Sequence, residues 1–238
     1  MNATTHLYPR NLNKSIPIQS KLLEHEESVC TGSILLVIDA LFPLKESVLT
    51  NREASKAETL GPKRRKSFTA ARIALKNLSL QLGLVAPGTH LCSIETLALD
   101  GVRPSLPASG VFCSVSHDDT FVVAVANDRP VGVDIEPISS KASRGWHLFM
   151  SLPEQRLISK TGLGKDQTVV RAWTMKEAAA KALNFDLFRA WREVQVLRIG
   201  AEKSLVRIKG KETCPTHLEI QGHLVSLITL DDAQRIPK

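Results

Sequence analysis

The stretch from Val111 to Glu136 restricts the fold more than any other, because it reads as three strands in succession. Val111 to Val115 and Phe121-Val-Val-Ala-Val-Ala126 are short apolar runs rich in β-branched residues. Val131-Gly-Val-Asp-Ile-Glu136 follows after the turn-forming Asn127-Asp-Arg-Pro130. Runs of this length bounded by turn residues form strands, and the last two are expected to pair as a hairpin. An earlier run, Ser33-Ile-Leu-Leu-Val-Ile-Asp39, has the same character.

Helical patterns surround these strands. Glu46 to Leu60 has helical composition and is interrupted by Gly61-Pro62, after which Phe68, Ala71, Leu75, Leu78 and Leu82 recur at spacings of three and four, with Gly83 as the stop. Further helices are expected near 143–161 and 168–184, and strands near 192–199, 203–210 and 217–230. The fold class is therefore α+β, and 238 residues, 43% of them hydrophobic, suffice for a substantial core. We expect a polar lead-in over 1–30, an amino-terminal lobe over 31–115 and a carboxy-terminal lobe over 116–238. The loop 100–110 would be the hinge between two lobes of similar size.

The net charge of +7 is local. Between Glu58 and Glu95 there is no acid, while Lys63, Arg64, Arg65, Lys66, Arg72 and Lys76 open and follow one helix. Bases at a helix N-terminus oppose its dipole, whereas an anion bound there is favoured, so a polyanionic partner is expected. Aromatic residues at 5% are thin for stacking single-stranded bases. No run approaches the ~18–20 apolar residues of a membrane span and no secretory leader opens the chain, so a cytoplasmic protein is expected. Four scattered cysteines are expected to be small buried hydrophobes without disulfides.

Chemistry is concentrated in three places. Asp134 and Glu136, two residues apart on a strand, share one face while Val133 and Ile135 face the core. Such paired carboxylates suit a divalent cation, magnesium or manganese before zinc, although a strand running out into solvent explains these two residues equally simply. On the later helix Trp173, Glu177 and Lys181 follow at i, i+4 and i+8, with Lys176 beside them. An ordinary Glu–Lys surface pair, worth ~0.3–0.5 kcal/mol, accounts for the charges but not for the tryptophan or the three alanines that follow Glu177. Ser116-His117, between two strand readings, could meet a phosphate together with turn amides. No phosphate-binding Walker loop, nucleophile elbow or zinc-protease helix is present, and His25, His217 and His223 read as surface residues.

The order Ser114-Val-Ser-His117, then Val131-Gly-Val-Asp-Ile-Glu136, then Trp173-Thr-Met-Lys-Glu-Ala-Ala-Ala-Lys181 resembles the 4′-phosphopantetheinyl transferases of the surfactin- and enterobactin-synthetase type, over about residues 60 to 200. Arg64-Arg65-Lys66-Ser67-Phe68 with Arg72, the approach Val102-Arg-Pro-Ser-Leu-Pro107, and Trp191 are similar to the enterobactin branch. The resemblance implies two α/β lobes related by a pseudo-twofold axis with the active site between them. It implies transfer of the 4′-phosphopantetheine arm of coenzyme A to a serine of an apo acyl or peptidyl carrier protein, by a monomer, with release of adenosine 3′,5′-bisphosphate. Asp134, Glu136 and Glu177 would hold Mg²⁺ or Mn²⁺, with Glu177 and Lys181 catalytic. Arg64, Arg65, Arg72, Arg103, Ser116, His117, Lys176 and Lys181 would bind coenzyme A. Asp118-Asp-Thr120 and Leu183-Asn-Phe-Asp186 depart from the family pattern, and the upstream Glu of the family's Thr-x-x-Glu-like turn would be Glu154 in Ser151-Leu-Pro-Glu154, or with a one-residue shift the position held by Gln155. Two other classes stay open here: a basic nucleic-acid-binding module, and an inactive relative that only binds carrier proteins.

Overall fold

The computed structural model describes residues 32–44 and 46–231; the lead-in expected over 1–30 lies outside them. In chain order the elements are β1 (Gly32–Val37), α1 (Asn51–Glu58), α2 (Pro62–Gln81), β2 (Phe112–His117), β3 (Phe121–Asn127), β4 (Val131–Pro137), α3 (Ser140–Ser143), α4 (Trp146–Phe149), α5 (Leu152–Gln155), α6 (Lys165–Leu183), α7 (Leu187–Glu193), β5 (Val194–Arg198), β6 (Leu205–Ile208), β7 (Lys211–Thr213), β8 (Thr216–Ile220) and β9 (His223–Thr229). Among the described residues the strands form three antiparallel sheets of three, ordered β1-β3-β2, β4-β9-β8 and β5-β6-β7.

The two-residue period of the strands sorts the core into layers. Ile34 and Leu36 of β1 and Val122, Ala124 and Ala126 of β3 pack against Ile73, Ala74 and Leu78 of α2. Their alternates Leu35, Phe121, Val123 and Val125 pack against Val131, Val133 and Ile135 of β4 and Val225 and Leu227 of β9. The remaining face of β4 turns to α6, whose Ala172, Met175, Ala178 and Ala179 join Val194, Val196 and Val206 in a third cluster. Gly132 sets how closely α6 approaches β4: a Cβ there would lie 1.9 Å from the Ala178 carbonyl oxygen. The alanines after Glu177 are the helix side of that same contact, since larger side chains would hold the two backbones apart.

Helix boundaries follow local chemistry. Thr50 and Glu53 form a capping box at the start of α1, and Gly83 at φ +65 ends α2 as expected. Three expectations are corrected. β3 and β4 form no hairpin, because β3 already has β1 and β2 on its two edges and β4 pairs with β9 instead. The chain changes sheet between Asn127 and Val131, since β2 and β3 both complete the first sheet; the loop at 100–110 is tied back by the Leu97–Pro104 bridge. The helix expected over 143–161 is three short helical segments, α3 to α5, broken at Gly145 and before Pro153. Finally, Cys92 and Cys214 are exposed and only Cys113 is partly buried; Cys30 lies outside the described residues. Among the described residues, no helix is long and apolar enough to cross a membrane.

Candidate active site: a carboxylate triad beside a basic cavity

β4 and α6 build the acidic centre. Because Gly132, Asp134 and Glu136 alternate with core residues, both carboxylates face α6, where Glu177 meets them. Oxygens of Asp134, Glu136 and Glu177 lie within 4.8 Å of one another. Asp134 is only 2% exposed. Its Oδ1 accepts hydrogen bonds from Ser116 Oγ at 2.8 Å and Lys181 Nζ at 2.7 Å, while its Oδ2 is buried without a hydrogen-bond partner. Trp173 Nε1 donates to Glu136 Oε1 at 3.3 Å, which gives the tryptophan on the helix stripe its place.

Three crowded carboxylates cannot all ionise cheaply in this setting. Burial, followed by the Asp134 charge, pushes Glu136 up to about 7. The same two causes push Glu177 up to about 8. Asp134 and Glu177 can hydrogen-bond to each other only while one of them carries a proton. An oxygen-only donor set, one orphaned buried oxygen and two acids held up by burial and then by the Asp134 charge together fit a hard divalent cation such as Mg²⁺ or Mn²⁺.

Lys181 spends its three donors on Asp134 Oδ1, Ser116 Oγ at 2.9 Å and the Val133 carbonyl at 3.0 Å. Ser116 and His117 both belong to β2 and not to the turn after it, so Ser116 points to the carboxylates. Ser114 and Ser116 accept from the Val133 and Ile135 amides at 3.1 and 3.4 Å, stitching β2 to the edge of β4 that β9 leaves free.

On the other side of His117 lies a cavity of about 990 Å³. Its walls include Lys63, Arg65 and Lys66 from the start of α2, the apolar Ile38, Leu41 and Leu60, and His117, Asp118 and Asp119. The structure therefore brings Arg65 and His117 to one cavity. Burial, then the Lys181 charge, lowers the His117 pKa, favouring neutral imidazole. Arg64 is exposed beside this wall without lining it.

Three expected ligands of coenzyme A are engaged elsewhere. Arg72 is turned into the core, where Nη1 donates to the Thr96 carbonyl at 2.5 Å and the guanidinium covers the Phe68 ring. Arg103 pairs with Asp100 in the exposed 98–103 turn. Lys176, 1% exposed, is bound to Glu154 at 2.9 Å and to the Trp191 carbonyl at 3.1 Å, on the side of α6 away from the triad. With Lys76 also buried, against Glu53 at 2.6 Å, the basic surface expected from the sequence loses two of its six charges. That weakens the nucleic-acid reading, which needs them exposed.

Several residues were not legible as parts of this arrangement. Glu154, one of the two positions the resemblance offers for a further Glu, forms a capping box with Ser151, accepts from the Val196 amide at 2.7 Å and neutralises Lys176, a pairing that no local spacing reveals. His217 and His223 are engaged too, the first with Ser226 at 2.9 Å and the second with Asp118 at 2.9 Å.

Residues 130–229 match the 4′-phosphopantetheinyl transferase superfamily, and residues 52–127 match the 4′-phosphopantetheinyl transferase N-terminal domain. The boundary between the two matches falls where the chain changes sheet. Enterobactin synthase component D of Escherichia coli K12 is 25% identical over 132 residues, 55% of this chain and 63% of that protein. The same protein of Shigella flexneri is similar to the same extent. The match thus spans less than two thirds of the length of these relatives.

Proposed function

The chain belongs to the 4′-phosphopantetheinyl transferase superfamily, and from that premise we propose that it transfers the 4′-phosphopantetheine arm of coenzyme A to a serine of an apo acyl or peptidyl carrier protein, releasing adenosine 3′,5′-bisphosphate. The observation that carries this reading is the triad of Asp134, Glu136 and Glu177 with its orphaned buried oxygen. When bound there, Mg²⁺ would supply positive charge to the pyrophosphate and so stabilise the departing bisphosphate.

The chain's own groups divide the remaining work. Arg65, Lys63 and Lys66, with Arg64 at the rim and His117 opposite, grip the polyanionic nucleotide end in the cavity. Lys181, one side of which is exposed to solvent, adds charge where the pyrophosphate meets the triad. Glu177 accepts the proton of the attacking serine hydroxyl, which then bonds to the β-phosphorus as the adenosine bisphosphate leaves. In this reading the halves that exchange sheets at Asn127 to Val131 are two α/β lobes related by a pseudo-twofold axis, with the active site between them. The protein acts as a cytoplasmic monomer, where coenzyme A and newly made synthetases are found.

The test is intact-mass analysis of a panel of apo carrier proteins incubated with the protein, coenzyme A and Mg²⁺. At least one should gain the arm stoichiometrically. If no carrier of any class gains it, while a characterised transferase modifies the same panel, the reading fails.

A further inference from the structure

We infer that Ser116 is a positioning residue for the carboxylate site, acting through Asp134, and not a ligand of the coenzyme A phosphate. The inference rests on the reading of Asp134, Glu136 and Glu177 as the holders of a divalent ion. Ser116 is buried, and its hydroxyl has no capacity left over. It donates its one proton to Asp134 Oδ1 at 2.8 Å and accepts from Lys181 Nζ at 2.9 Å and from the Ile135 amide at 3.4 Å. A hydroxyl offers one donor and two acceptor positions, so all three are used.

This engagement decides which oxygen of Asp134 is free. Ser116 and Lys181 converge on Oδ1, and Oδ2 is left buried and unpartnered among the carboxylates. Without the hydroxyl, Oδ1 of Asp134 keeps only one of its two donors, Lys181, a longer and more flexible holder, and the carboxylate can rotate about its last torsion. The Lys181 ammonium would lose one of its three acceptors at the same time. Outer partners that orient a ligating carboxylate typically contribute about 10–100-fold to metal affinity. Ser114 supplies an internal comparison: its hydroxyl also accepts from a β4 amide, that of Val133, but the bond reaches no carboxylate.

Mn²⁺ binding to the full chain, without coenzyme A, is measured by calorimetry for the wild type, Ser116→Ala, Ser116→Thr and Ser114→Ala. Ser116→Ala is expected to weaken Mn²⁺ binding about tenfold or more, Ser116→Thr to restore most of the affinity by restoring the hydroxyl, and Ser114→Ala to leave it within about twofold. In transfer assays Ser116→Ala should lower kcat with the KM for coenzyme A unchanged. Wild-type Mn²⁺ affinity in Ser116→Ala overturns the inference, and so does a raised KM for coenzyme A at unchanged kcat, which is the signature of a phosphate ligand. Should Ser116→Ala not fold, Ser116→Cys, which keeps the volume and gives up the strong donor, is read by the same criteria. Failure of the wild type itself to bind Mn²⁺ overturns the carboxylate reading as well, so the two failures are distinguishable.

Discussion

Replacing Gly132 by alanine tests how the site is assembled. The added Cβ would stand 1.9 Å from the Ala178 carbonyl oxygen, 2.6 Å from the Ala182 amide nitrogen and 2.9 Å from the Ala178 carbonyl carbon. All three obstacles are backbone, so no side chain can swing aside. To reach even 3.0 Å the helix α6 must retreat from β4 by about 1 Å. Glu177 neighbours Ala178 and Lys181 neighbours Ala182, so the retreat falls directly on the contacts at 2.7 to 3.0 Å that bind Lys181 to Asp134, Ser116 and Val133. Overpacking of a tight interior costs about 1–3 kcal/mol, and a clash of backbone on backbone belongs at the upper end, about 3 kcal/mol. A displacement near 1 Å in a catalytic constellation costs about 10²-fold in rate. Urea unfolding followed by fluorescence of Trp173 on α6 and of Trp146 and Trp191, which pack against the same core cluster, gives the stability; calorimetry with Mn²⁺ gives the site. A variant with an unchanged midpoint and unchanged Mn²⁺ affinity would refute the reasoning that the close approach at Gly132 builds the site.

Other perturbations have equally definite outcomes. The raised values of Glu136 and Glu177, about 7 and about 8, mean that the folded, metal-free protein holds these protons more tightly than the unfolded chain. Stability in a chelator is then greatest near and below pH 4.5 as far as these groups contribute, and falls as pH rises towards 8; thermal melts in chelator should show this decline and added Mg²⁺ should reverse it. Glu53→Gln strands the fully buried Lys76 and should cost about 3–5 kcal/mol in urea unfolding, whereas the double variant Glu53→Leu, Lys76→Met should recover much of the loss. Arg72→Met removes the bond to the Thr96 carbonyl and should cost about 1–3 kcal/mol, with saturation by coenzyme A unchanged.

What could be read from the sequence was whatever local periodicity encodes. The alternation in Val131 to Glu136 puts Asp134 and Glu136 on one face, and the i, i+4, i+8 spacing brings Trp173, Glu177 and Lys181 to meet them. What could not be read depends on partners distant in the chain. Nothing near Asn127-Asp-Arg-Pro130 reveals that both edges of β3 are already taken, so a hairpin looked natural where the chain in fact leaves the sheet. The same limit applies to the bases. Lys63, Arg65 and Arg72 look alike in a charge run, but position on α2 sends the first two to the cavity and the third to Thr96. Lys176 reads as a companion of Lys181 by spacing, but Glu154, 22 positions earlier, lies against it in the fold. The acid-free stretch is thus two things at once, a cavity wall at its start and a set of buried anchors further along.

The most direct test of the central claim, that Asp134, Glu136 and Glu177 hold the divalent ion on which transfer depends, is a single mass-spectrometric comparison. Apo carrier protein and coenzyme A are incubated with wild type in chelator, with wild type after Mg²⁺ is restored, and with Asp134→Ala in Mg²⁺. The account predicts that the carrier gains the phosphopantetheine arm only in the second mixture, with Asp134→Ala folded and inactive. Modification by Asp134→Ala at the wild-type rate, or undiminished modification in chelator, would contradict it.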